Sequence, residues 1–184
     1  KEIAENVKNG VTDVNTIQKQ EKLSEFSTDF LKNNIEEWMK KWDTDFGGDL
    51  AQQKFVSPSK YLFLLNYGIV YNDKKVLSHV KNTLDIIASS GLNDFIEGGF
   101  YRYTVDNEWK IPHFEKMLYD QAQMISLFSM AYKVYGDQLY KDIVDKTIAF
   151  LNLKMSSNND LYYAAMDADT DGEEGKYYSF TKDE

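Results

Sequence analysis

The chain of 184 residues contains no cysteine, only two prolines and only two histidines. The missing cysteine excludes disulfides, thiolate zinc sites, iron–sulfur clusters and thiol redox chemistry within these residues. It does not fix a compartment, although a cytoplasmic location is favoured. With two histidines far apart, no His-pair metal motif is present, nor is there a Gly-rich phosphate loop or a Ser-centred elbow. Neither a cofactor nor a metal is expected. No apolar run approaches the roughly 18 residues of a membrane span. The first residues, Lys1 to Asn6, carry no apolar signal core, so any targeting segment is expected to be absent or removed. Basic residues are outnumbered, 21 Lys+Arg against 30 Asp+Glu for a net charge of −9. That balance argues against non-specific nucleic-acid binding and against anionic membrane surfaces.

What is present is apolar and aromatic. Hydrophobic residues make up 42% and aromatics 15%, enough for a real core in one domain or in a piece of a larger one. The spacing predicts five helices. Those over 24–42, 73–90 and 137–155 are one-sided, as in Val76, Val80, Leu84 and Ile87. Those over 58–71 and 113–135 are apolar on most faces, the first opening on a Ser57-Pro58 cap and first-turn pair. A helix apolar all round must be enclosed. The alternation of amphipathic and buried helices therefore predicts a mainly α fold, a partial α/α toroid with an inner and an outer ring. A simple up-down bundle would make every helix one-sided.

Connections from buried to amphipathic helices are minimal, and those from amphipathic to buried are long: 43–57, 91–112 and 156–181. In antiparallel hairpins all three long loops emerge at one end. Segments 99–105, and 161–164 facing 176–180, read as short β-ribbons within them. Thr181 to Glu184 has the form of a capping box, so a further buried helix is expected and the chain reads as part of a longer toroid. Residues 1–20 read as a linker with at most a weak helix, and 21–184 as the N-terminal half of the toroid.

The densest chemistry lies in 98–120. If the helix begins at 113, His113 and Glu115 occupy its first turn, where the dipole lowers a histidine pKa and suits a general base. Arg102 offers a bidentate clamp, and Trp109, Phe100, Tyr101 and Tyr103 offer flat faces. The alternative reading is a buried polar network that pins a loop to a helix. Asp167, Asp169 and Asp171 with Gly172 resemble the front of a calcium loop, but position twelve is Tyr178 where a glutamate is needed. An acidic rim or a solvated turn competes with that reading. Asp43 and Asp45 read as turn formers, and His79 as a boundary residue.

Two long motifs carry a family resemblance: GGFYRYTVDNEWKIPHFEKMLYDQA over 98–122 and YYAAMDADTDGEEGKYYSFTKDE over 162–184. They closely resemble the thioredoxin-domain, spermatogenesis-associated protein 20-like family. WDTDFGG…QKF over 42–55 looks like a weaker copy of a further family segment, with departures that leave that loop's role open. The resemblance implies a six-hairpin, glycosidase-like toroid following a thioredoxin-like domain, similar to N-acylglucosamine 2-epimerases and several glycosidases. It marks Arg102, His113, Glu115, Asp120, Asp167, Asp169, Glu173 and Glu174 as motif positions without fixing their roles. The expected catalytic set is His113, Glu115 and Asp167. The expected binding set is Arg102, Trp109, Tyr119, Asp120, Asp169, Glu173 and Glu174. The expected function is carbohydrate-related, epimerase-like or hydrolase-like, acting on a sugar or small polar ligand. The competing function is a non-catalytic binding or scaffold module serving the thioredoxin-like domain. Expected partners are that domain and the second half of the toroid. Alone, the chain is expected to self-associate through Leu62, Leu65, Ile69, Met124, Leu127 or Phe128.

Overall fold

The computed structural model describes residues 2–15 and 27–182. The chain divides into two compact units, Lys1–Lys40 and Lys41–Glu184. The first holds α1 (Glu2–Asn15) and α2 (Thr28–Met39). The span read as a linker thus carries a helix of 14 residues. Ser27 caps α2, its Oγ accepting the Phe30 N–H at 3.1 Å. The start of the helix expected from 24 and the end of the capping box lie outside the described residues.

The second unit is built from two helical hairpins, α3 (Pro58–Val70) with α4 (Lys74–Ala88), and α5 (Leu118–Tyr135) with α6 (Gln138–Phe150). A π-helical turn, Leu151–Met155, extends α6. Asp73 and Asp137 cap α4 and α6 through backbone N–H groups of their first turns. Gly136 ends α5 at φ +67°, where a side chain would be strained, and returns its N–H to Tyr132. Each hairpin packs on itself, and α3 packs on α5. Leu64, Leu65, Val80, Leu84 and Leu127 are fully buried where they meet, each contributing about 1.5–3 kcal/mol of transfer free energy. The fold is the mainly α, partial toroid that the alternation predicts.

Its details differ from the sequence reading at four points. First, α5 begins at Leu118, not at 113. Pro112–His113 form strand β3 and Lys116–Met117 form β4, because both find strand partners that the local apolar pattern does not reveal. His113 and Glu115 therefore stand outside the helix, and the helix-dipole argument for His113 does not apply. Second, the ribbons pair differently. β1 (Lys54–Phe55), β2 (Tyr103–Thr104) and β3 form one antiparallel sheet, β4 pairs with β5 (Ala165–Met166), and β6 (Asp169–Thr170) with β7 (Glu173–Glu174). Residues 176–178 are a 3-10 turn. Third, Ser57 holds φ +45° and its hydroxyl does not cap α3, although Pro58 does open the helix. Fourth, Leu65, Met124, Leu127 and Phe128 are buried, so they cannot form the apolar face expected for self-association. Phe63, Ile69 and Val70 are the exposed apolar side chains of α3.

The two hairpins share a device that fixes the loop before each inner helix. In the first, Asp43 Oδ1 accepts the N–H groups of Asp45 and Phe46, and the Asp43 N–H donates to Gly48 O at 3.0 Å. Lys54 closes the loop, donating to Asp43 Oδ2 and to Gly47 O, both at 2.6 Å. In the second, Asp94 Oδ1 accepts from Ile96 and Glu97, and the Asp94 N–H donates to Gly99 O at 3.0 Å. Lys116 donates to Asp94 Oδ2 at 2.6 Å and to Gly98 O at 2.9 Å. All four glycines have positive φ. Lys54 and Lys116 are almost wholly buried, and the hydrogen bonds described for each ammonium all come from its own loop. Burial works to raise both aspartate pKa values, but the lysines and the backbone N–H groups outweigh it and hold both below the usual carboxylate range.

Candidate functional site

A cavity of about 240 Å³ lies between the N-terminal ends of the two inner helices. Phe55, Ser57 and Pro58 wall it from the α3 side, Phe100 to Arg102 from the second loop, and Tyr119, Asp120, Gln123 and Met124 from α5. Ser57 holds its strained backbone at this rim, the kind of position where strain collects at binding sites.

Asp120 is the chemically distinctive group. Its Oδ2 is buried and has no hydrogen-bond partner among the described residues. Burial pushes its pKa up to about 6, Arg102 pulls it down, and Glu115 pushes it up again. A carboxyl poised near neutrality can give or take a proton. Arg102 is held in place twice over. Its Nη1 donates to Glu115 Oε2 at 2.8 Å and its backbone N–H to Glu115 O at 2.9 Å.

From Glu115 a polar chain runs outward. His113 Nε2 lies 3.8 Å from Glu115 Oε2, and His113 Nδ1 lies 2.6 Å from Glu174 Oε1. The ring stacks on Tyr103 at 4.9 Å, and Tyr103 stacks on Phe55 at 4.6 Å. These three rings form one row because Phe55, Tyr103 and His113 are in register across β1, β2 and β3.

The remaining candidates divide. The ladder pairing Lys116 with Met166 brings the flanking residues Glu115 and Asp167 to one edge. Asp167 Oδ1 accepts the Asp169 N–H at 3.1 Å and so shapes its own turn. Asp169 pairs with Glu174, and Asp171-Gly172 makes the two-residue turn between β6 and β7, both with positive φ. That is a type I′ hairpin, not the front of a calcium loop. Among the described residues no group of three or more His, Asp or Glu is placed to hold a metal ion. Glu173 lies on the same exposed hairpin. Tyr119 is half-exposed at the cavity. Trp109 is fully buried and its indole N–H donates to Phe46 O at 2.8 Å, so its face is closed to ligand. His79 is buried rather than at a boundary, stacked on Trp42 at 3.9 Å and 3°. Burial, with Lys60 adding to it, pushes its pKa down to about 4.

Sequence reasoning missed Phe55, Ser57 and Gln123 as lining residues, for which no local motif exists. It also missed the repeated Asp-x-x-x-Gly-Gly…Lys pattern. There the signal was available: Asp43, Gly47, Gly48 and Lys54 recur as Asp94, Gly98, Gly99 and Lys116.

No family model matches the chain. Human spermatogenesis-associated protein 20 is 33% identical over 150 residues, 76% of this chain and 19% of the human protein. The chain belongs to the spermatogenesis-associated protein 20-like family. It spans about a fifth of the length of that relative. Among solved structures, a sugar epimerase from a ruminal bacterium superposes with a TM-score of 0.64 at 23% identity, covering 72% of this chain and 37% of the epimerase. A family 76 glycoside hydrolase from a bovine Bacteroides thetaiotaomicron strain superposes at 0.60 with 18% identity, covering 79% of this chain and 33% of the hydrolase. These likenesses show the fold, part of a six-hairpin, glycosidase-like α/α toroid. No helix among the described residues is long and apolar enough to cross a membrane.

Proposed function

We propose that this family's toroid acts on a sugar, with the cavity between α3 and α5 as this chain's share of the site. The observation that carries the reading is Asp120, a half-buried carboxyl with one unpartnered oxygen and a pKa raised to about 6, in a cavity with Arg102. Asp120 moves a proton at the ligand, Arg102 orients a ligand oxygen, and the exposed Phe55 offers an apolar face to a sugar ring. Glu115, His113 and Glu174 position Arg102 and tie the loop to the β6–β7 hairpin. Glu115 with Asp167 is a second carboxylate pair for a hydrolytic variant of the reading, which needs two carboxyls about 5–10 Å apart. The chemistry is completed by groups from the second half of the toroid, and a thioredoxin-like domain precedes it in the full-length protein. The likeness to solved toroids of a sugar epimerase and a glycoside hydrolase supports the sugar class.

The test uses the full-length protein and a panel of mono- and disaccharides. Epimerisation is followed by solvent deuterium entering the sugar, and hydrolysis by new reducing ends. The expected result is turnover whose rate changes with an apparent pKa near 6, and which Asp120→Asn lowers about 100-fold or more. Binding of sugars without turnover in wild-type protein would favour the non-catalytic module. Turnover untouched by Asp120→Asn would remove Asp120 from the chemistry.

A further inference from the structure

A second hollow, of about 200 Å³, lies on the other side of Tyr101, whose residue lines both. Asp94, Ile96, Glu97, Tyr177, Tyr178 and Phe180 complete its wall. Nothing in the proposed chemistry uses it. Two polar atoms of its lining residues, Glu97 Oε2 and Tyr178 Oη, are buried and have no hydrogen-bond partner among the described residues. The other Glu97 oxygen is fully engaged, accepting from Lys154 Nζ at 2.5 Å and from Tyr177 Oη at 2.7 Å. A buried donor or acceptor left unmade is costly, and at the wall of a cavity it marks what an occupant would supply.

The charge balance selects the occupant. Asp94 is paired with Lys116 at 2.6 Å and Glu97 with Lys154 at 2.5 Å, so the two carboxylates are already neutralised. Three of the lining rings already have a lysine beside them. Lys116 Nζ lies 4.8 Å from the centre of the Tyr101 ring and 5.1 Å from that of Tyr178, and Lys154 Nζ lies 5.8 Å from that of Tyr177. A cationic ligand finds no surplus negative charge here, and an anionic one no surplus positive charge. Phe180 and Tyr177 remain exposed as flat apolar surfaces.

We infer that this hollow is a second sugar-ring site. It takes a neutral ring whose C–H face lies on Tyr177 and Phe180 and whose hydroxyls reach Glu97 Oε2 and Tyr178 Oη. The ligand class rests on the sugar reading above, but the atoms are separate from those around Asp120. The full ligand would then be longer than one ring.

The test is an NMR titration of the 15N-labelled 184-residue chain with cellobiose and, separately, with choline as a cation probe. The expected result is saturable shifts at 96–97 and 177–180 with cellobiose and none with choline. Tyr178→Phe should weaken that binding roughly fivefold, the size of one hydrogen bond. The same variant should leave the melting temperature unchanged or raise it, because the hydroxyl it removes has no partner to lose. Asp120→Asn should leave these shifts intact. Shifts confined to Phe55, Arg102 and Asp120 would overturn the second site while sparing the first. Shifts at 177–180 in a protein whose turnover ignores Asp120→Asn would do the reverse. Saturation by choline, or a lowered melting temperature in Tyr178→Phe, would also overturn the second site.

Discussion

The loops that precede α3 and α5 are two versions of one structure. Both open on an aspartate that organises its own turn, both pass through a Gly-Gly pair with positive φ, and both are closed by a buried lysine. They differ in what lies between the glycines and the lysine. Residues 49–53 fill that interval in the first loop, five in all, and 100–115 fill it in the second, sixteen. Arg102, His113 and Glu115 all fall within the longer interval. The clasp is therefore scaffold, and the insertion is where candidate chemistry is carried. Repeating a rigid frame while varying one interval puts polar side chains at a rim without disturbing the helices beneath.

The comparison breaks most clearly if the two lysines are unequal. Lys54→Met and Lys116→Met should each destabilise the chain by about 3–5 kcal/mol, since each leaves a buried carboxylate unpaired. Denaturant unfolding of the two variants measures this. A large loss for Lys116 with none for Lys54 would mean that the first clasp is ornamental.

The glycines come next. A Cβ on Gly98 would stand 2.8 Å from Lys146 O at φ +86°, whereas one on Gly136, at φ +67°, meets nothing within 4 Å. Gly98→Ala should cost about 2–4 kcal/mol, combining strain with overpacking, and Gly136→Ala only about 1 kcal/mol. Equal losses would show that the clasp glycines serve conformation alone.

The two regions should also titrate in opposite directions. His79, packed on Trp42 at the first loop, has a pKa depressed to about 4. The unfolded chain takes up that proton first, so the His79 contribution is lost as pH falls from about 6.5 toward 4. Asp120 has a pKa raised to about 6. Here the folded state keeps the proton, so stability declines as pH rises from about 4 to 6. Asp120→Asn should therefore stabilise the chain above pH 6, on the order of 1 kcal/mol after allowance for solvent screening, and make little difference at pH 4. Thermal melts across this range, with His79→Phe as the opposite control, resolve the two signs.

The smallest effect belongs to the Arg102–Glu115 pair, whose side chains are 42% and 24% exposed. Glu115→Gln should change stability by less than about 1 kcal/mol. It should nevertheless lower the Asp120 pKa, because Glu115 helps to raise it. An unchanged titration curve would disconnect the two.

The alternation of one-sided and all-round apolar helices was legible because burial on every face leaves a compositional trace, as in 58–71. The meeting of Arg102, Glu115, His113 and Glu174 was legible only as a shared rim, because loop length says which end a segment occupies and not what it touches. The start of α5 was misread for a physical reason. Lys116 and Met117 look helical in a window that continues into Leu118, but their backbone groups find partners in 165–166, and tertiary pairing overrides local propensity. Trp109 misled in another way, since an indole in a polar loop looks like a ligand platform and here fills the scaffold.

That indole ties the two loops into one inheritance. Trp109 Nε1 bonds to Phe46 O at 2.8 Å, and a Cβ on Gly48 would stand 2.9 Å from Trp109 Cζ2. Sixty-one positions separate Gly48 from Trp109, 109 − 48, yet neither can drift alone. Any side chain at 48 must displace the ring that carries the bond to the first loop. A smaller residue at 109 would relieve the contact at 48, but not the strain of its φ of +76°, and would drop that bond at once. Across homologous sequences position 48 should be glycine wherever 109 is a bulky aromatic. The insertion in the second loop is thus a constraint on the evolution of the first.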